Sequence, residues 1–114
     1  LLDDTMPMTT TYAPVEPPRE EIDALSGPVV IEFGAPWCGI CQAAQPAVAA
    51  AMAGHPEFRH LKIEDGRGRR LGRSYRVKLW PTLVVLRDGQ EVARVVRPAG
   101  QREIEDALGV LSGK

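Results

Sequence analysis

The sequence predicts an α/β fold, a central mixed β-sheet flanked by helices. Three observations carry this. First, the apolar run Val29-Val30-Ile31-Glu32-Phe33 is followed by a helix-forming stretch, Gln42 to Ala53, and an alternating stretch, Phe58 to Glu64. Strand–helix–strand implies a parallel pair. Second, Thr82-Leu83-Val84-Val85-Leu86 leads to Asp88-Gly89, a hairpin turn signal, and a return over Glu91–Val96, which adds an antiparallel edge. Third, the chain's two cysteines, Cys38 and Cys41, stand between the first strand and its helix.

Taken in order, residues 1–7 read as a vector remnant and Met8 as a natural start. Residues 8–18, rich in Pro and Thr without a period, read as a loose N-terminal arm, and 19–114 as one domain. Pro17-Pro18 followed by Arg19–Leu25 predicts a helix with acids near its start, stopped by Ser26-Gly27-Pro28. Val29–Phe33 is apolar enough for a strand buried on both faces. The helix after the cysteines contains Pro46, which predicts a kink, and a slim alanine run; Gly54 and Pro56 end it. Phe58–Glu64 places Leu61 and Ile63 on one side and His60 and Lys62 on the other. Arg67–Tyr75 reads as a short helix weakened by Gly68 and Gly72. Gln101–Leu111 closes the chain with Ile104, Ala107, Leu108 and Leu111 on one helical face.

Composition excludes several classes. At 114 residues, 44% hydrophobic and 25% charged, the chain is an ordinary globular domain. No apolar run approaches the ~18 residues of a membrane span, and no basic start followed by an apolar stretch suggests a signal peptide. The net charge of −1 is unevenly spread. Residues 1–57 carry eight acids and one base, whereas residues 58–97 carry eleven bases and four acids. Arg67, Arg69, Arg70, Arg73 and Arg76 are dense enough to steer an acidic partner, although a solvated helix face is the simpler reading. Only Tyr75 interleaves with them, so no nucleic-acid binding is expected.

The chemistry lies in Trp37-Cys38-Gly39-Ile40-Cys41. A helix start offers unpaired N–H groups and the positive end of the dipole, so Cys38 is expected to ionise more easily than a free thiol. Cys41 lies one turn later on the same face and can reach it. Cys38 would form a mixed disulfide and Cys41 would resolve it. A purely structural disulfide closing so short a loop would constrain little. Zinc would need four ligands, and beyond this pair only His55 and His60 are at hand, so no metal is expected.

These residues bring a resemblance. Phe33-Gly34-Ala35-Pro36-Trp37-Cys38-Gly39-Ile40-Cys41, Pro46 five residues on, Trp80-Pro81-Thr82 and Asp88-Gly89 resemble the thioredoxin family over about residues 19–112. The resemblance implies a thioredoxin fold and thiol–disulfide exchange with no bound cofactor, the carrier being a redox-active Cys38–Cys41 disulfide. It implies Cys38 as nucleophile, Cys41 as resolving thiol and Pro81 as a cis-proline. Trp37, Trp80, Pro81 and Thr82 would bind substrate, the backbone of Trp80 pairing with an extended segment. Gly39 and Ile40 would tune the redox poise. Glu32 matches a position where the family often has a buried acid, so its pKa is expected to rise and it would exchange a proton with Cys41. Gly34 stands where an aromatic is common, removing a lid-like neighbour. His60 falls near a position often held by lysine.

The expected function is reduction of protein disulfides by a cytoplasmic monomer, recycled by a flavin- and NADPH-dependent reductase, with no membrane partner. Two rivals remain. One is a docking module with little turnover, for which a Cys38→Ser variant that keeps the physiological role would argue. The other is an oxidant or isomerase of the cell envelope, for which an export signal upstream of Met8 would argue.

Overall fold

In a computed structural model, which describes residues 10–109, the elements are α1 (Arg19–Asp23), β1 (Pro28–Gly34), α2 (Gly39–Ala53), β2 (Arg59–Glu64), α3 (Arg70–Ser74), β3 (Thr82–Arg87), β4 (Gln90–Val96) and α4 (Gln101–Gly109). The expectations for residues 1–7, Met8 and Leu111 lie outside the described residues. The sheet order is β2-β1-β3-β4. β2 runs parallel to β1, and β3 and β4 are antiparallel to their neighbours. This is the α/β thioredoxin fold, a mixed four-stranded sheet flanked by helices.

β1 is central, which explains its unbroken apolar run. Its alternate side chains enter two cores. Val30 packs with Val48, Met52, Leu83, Ile104 and Leu108, under α2 and α4. Val29, Ile31 and Phe33 pack with Ile22, Leu71, Tyr75, Val84 and Leu86 on the opposite face. Glu32 therefore shares the α2 face with Val30, two residues before it. Strand register completes that face: Val30 is opposite His60 and Glu32 opposite Lys62.

The hairpin forms as its sequence demands. Asp88 and Gly89 both have positive φ, 50° and 82°, the geometry of a two-residue turn that follows strand twist. The Asp88 carboxylate also accepts the Gly27 N–H at 2.7 Å. Pro46 lies inside α2 without ending it. α3 is shorter than the stretch expected from Arg67 to Tyr75, because Gly66 and Gly68 turn the chain with φ of 141° and 80° before Arg70.

Residues 10–18 contain no helix or strand, yet they are tied down. The Ala13 N–H donates to the Lys62 carbonyl at 2.9 Å. Glu16 accepts the N–H groups of Arg70 and Leu71 at 3.0 and 3.2 Å. Those donors belong to the first turn of α3, where backbone N–H groups lack intrahelical partners.

Candidate functional site

Cys38 ends the loop after β1 and caps α2. Its Sγ accepts the Cys41 N–H at 3.1 Å. Both residues are thiols here. Both are buried, Cys38 less completely, with 9% exposure against 2% for Cys41. Trp37 and Ile40 stand outward on either side, 70% and 47% exposed, while Gly39 is exposed beside them. Burial, the hydrogen bond with Cys38 and the negative charges of Cys38 and Glu32 push the Cys41 thiol up to about 11, against a smaller lowering by the Ala35 backbone. Cys41 is thus protonated at neutral pH.

The Trp80–Pro81 peptide bond is cis, and Pro81 is buried. Trp80 packs on Ala35, Cys38 and Cys41, meets Trp37 edge-on at 5.4 Å and donates its indole N–H to Asp65 at 2.9 Å. Two expectations about this loop need revision. The Trp80 carbonyl is not free, since Arg97 Nε donates to it at 2.9 Å while the Arg97 N–H donates to the Pro81 carbonyl at 2.9 Å. A carbonyl has two lone pairs, so one remains. Thr82 is buried and donates its hydroxyl to the Leu79 carbonyl at 2.6 Å. It braces the loop from within and presents no side chain to a partner.

Glu32 is fully buried beneath α2. One oxygen accepts His60 Nε2 at 3.0 Å, and the other accepts Gln45 Nε2 at 2.7 Å and lies 3.9 Å from Lys62 Nζ. Lys62 Nζ also donates to Gln45 Oε1 at 2.8 Å, and Gln45 Nε2 to the Cys41 carbonyl at 3.0 Å. Burial is the largest influence on Glu32 and raises its pKa. The His60 hydrogen bond and charge, the Gln45 hydrogen bond and the Lys62 charge together outweigh it, so the net direction is down. This overturns the expected rise. Glu32 is a carboxylate at neutral pH, able to accept a proton.

Gly34 is likewise not an open position. A Cβ there would lie 2.7 Å from Cys41 Sγ and 3.0 Å from the Tyr12 hydroxyl. The aromatic missing from position 34 is supplied by the N-terminal arm. Lys62 Nζ lies 4.9 Å from the centre of the Tyr12 ring. Burial first, then the negative charges of Cys41 and Glu32, push the Tyr12 phenol upward, so it stays neutral. Tyr12, Pro36, Cys41, Gln42, Gln45 and Lys62 line an opening of about 420 Å3 that leads to the inner thiol. Replacing Tyr12 with alanine is expected to hydrate Cys41, lower the pH at which it titrates and speed its alkylation several-fold, with Tyr12→Phe restoring the slow rate. A pH series of Cys41 alkylation in a Cys38→Ser background checks this; identical profiles for the alanine and parent proteins would contradict it.

A paired dithiol at a helix start, its first thiol more accessible than its second, packed against Trp80 of a cis Trp80–Pro81 bond, is what thiol–disulfide exchange needs. The thioredoxin family model matches residues 16–109. The chain belongs to the thioredoxin family. It is a thiol–disulfide oxidoreductase with a Cys-x-x-Cys dithiol and no bound cofactor. Thioredoxin 1 of Synechococcus elongatus is 32% identical over 91 residues, covering 79% of this chain and 85% of that protein. Thioredoxin 2 of Pseudomonas aeruginosa PAO1, solved in its reduced form, is 57% identical with a TM-score of 0.83, covering 93% of this chain and 98% of that one. Oxidised mitochondrial thioredoxin 3 of Saccharomyces cerevisiae is 26% identical with a TM-score of 0.69, covering 81% and 85%.

Sequence reading missed Tyr12, Gln45, Lys62 and Arg97 as neighbours of this site. Lys62 was within reach, because a parallel register that sets Glu32 against Lys62 puts both on one face. Gln45, one turn after Cys41 on α2, was within reach by helical spacing. Nothing local marks Tyr12 or Arg97.

Proposed function

We propose that this thioredoxin reduces protein disulfides, with Cys38 as the attacking and Cys41 as the resolving thiol. The observation that carries it is the asymmetry of the pair: Cys38 Sγ receives a helix-start N–H and is the more accessible residue at 9%, while Cys41 is 2% exposed and protonated. The Cys38 thiolate attacks one sulfur of the substrate disulfide. That S–S bond breaks, and the leaving thiolate takes a proton from solvent. Cys41 then loses its proton and attacks Cys38 Sγ, releasing the second substrate thiolate and closing the Cys38–Cys41 disulfide. Two electrons pass from protein to substrate.

Glu32, a carboxylate bridged through Gln45 to the backbone carbonyl of Cys41, is the proposed base for the second step. Trp37 and Trp80 form the proposed substrate surface, with the buried Pro81 fixing the cis bond that follows Trp80, and Gly39 and Ile40 form the exposed turn that tunes the pair. A flavin- and NADPH-dependent reductase would restore the dithiol. A single close dithiol without other cysteines suits a monomer working in the cytoplasm, where thiols are kept reduced. Among the described residues no helix is long and apolar enough to cross a membrane.

The direction is tested by equilibrating the pair against glutathione or dithiothreitol. A reduction potential near ~−270 mV is expected of a reductase. A value of about −120 to −180 mV would mark a disulfide donor or isomerase and contradict the proposal.

A further inference from the structure

Beside the redox site lies a second, strongly charged feature. A cleft of about 530 Å3 is lined by Asp65, Arg69, Arg73, Arg76, Lys78 and Trp80, among others. Trp80 belongs to both places: it packs on Cys38 and Cys41, and it forms a wall of the cleft. Four cations face one carboxylate, and that carboxylate, Asp65, already accepts the Trp80 indole N–H. Arg69 is 3.6 Å from Glu64. Arg73, Arg76 and Lys78 are exposed.

The backbone enforces the cluster. After α3 the N–H groups of Tyr75, Arg76 and Val77 close back on Gly72 and Arg73. Arg76 sits in the left-handed region with φ of 58°, where glycine or asparagine fits with less strain than a long side chain. An arginine at a strained turn is a cue to function. Here the turn brings Lys78 round to the cleft that Arg69 and Arg73 line.

We propose that this cleft docks acidic residues flanking the disulfide of the partner protein, so that acidic protein disulfides are the preferred substrates. The inference rests on the reading that Cys38 attacks protein disulfides, and it names their class. Charge complementarity carries it. A concave positive surface beside the reacting sulfur raises the local concentration of a negative partner and speeds encounter. Exposed Leu79, 46% accessible, and Trp37 supply apolar contact at its margin.

The test compares two cystine peptides of equal length, one with glutamates flanking its disulfide and one with glutamines. At low salt the parent protein is expected to reduce the acidic peptide about tenfold faster. The gap should close to within about twofold at roughly 0.5 M salt and in an Arg73→Glu/Arg76→Glu protein. Measurable but equal rates for the two peptides, or a gap that survives both changes, would overturn the proposal. Docking without chemistry is read separately, by tryptophan fluorescence on adding the acidic peptide with serines in place of its cysteines. Binding weakened about tenfold or more in the double variant supports the cleft even if neither cystine peptide is reduced, which would count against the reductase reading alone. Binding unchanged in the variant overturns it. So does a single-stranded oligonucleotide of matched charge that binds as tightly as the peptide, since that would make the cleft a general polyanion surface.

Discussion

Exchanging Cys41 for serine is expected to stop the reaction halfway. Cys38 keeps its place at the head of α2 and still attacks, but the serine hydroxyl cannot displace the substrate thiol. The mixed disulfide therefore accumulates, and turnover is lost. A gel run without reductant, or the intact mass, shows the adduct, and added dithiothreitol releases it. The matching Cys38→Ser protein should form no adduct at neutral pH, because Cys41 is 2% exposed and protonated. Continued turnover by the Cys41→Ser protein would show that resolution comes from elsewhere.

Loss of the Glu32 carboxylate has two opposed consequences for Cys41. Its negative charge helps to hold the Cys41 pKa up, so removal makes the thiolate easier to form. Removal also takes away the proposed base. The charge of Glu32 is the smallest of the influences raising Cys41, whereas a positioned base contributes about 10²–10⁴-fold. Loss of the base wins, and Glu32→Ala is expected to resolve the mixed disulfide about a hundredfold more slowly, with initial attack changed far less. Stopped-flow measurement of the two phases separates them; unchanged resolution would remove Glu32 from the mechanism.

Stability should change as well. Lys62 is 6% exposed and would be left as a buried charge without its counter-charge, a loss of about 3–5 kcal/mol. The pH dependence has a definite sign. The folded pKa of Glu32 lies below its ordinary value of 4.5. Its contribution is therefore complete above that value and is lost as pH falls through the lower folded pKa. The stability gap between parent and Glu32→Ala, measured by urea titration, should stay constant above pH 4.5 and shrink below it.

Much of this was legible in the chain. Val29–Phe33 announced a central strand because burial on both faces leaves no polar alternation, and β1 is that strand. Asp88-Gly89 announced the turn because few other pairs accept positive φ twice. Cys38 and Cys41 announced the site because the spacing has a chemical reason. The less legible parts were contacts made across the fold. Burial alone said that Glu32 should hold its proton; His60, Lys62 and Gln45 reverse the sign, and they lie 28, 30 and 13 residues away along the chain. Gly34 looked like a missing lid because Tyr12, in an arm with neither period nor motif, gave no sign of returning to Cys41. Arg97 sits at a strand end with φ of 49°, and only tertiary structure shows its hold on the Trp80–Pro81 loop.

The most direct measurement is the order in which the two thiols of the reduced protein react with iodoacetamide, mapped by peptide mass across pH. The asymmetry of the pair predicts that Cys38 is alkylated first at neutral pH, and that the Cys41 rate climbs as pH rises toward about 11. Equal rates at neutral pH, or Cys41 first, would contradict the division of labour on which the mechanism stands.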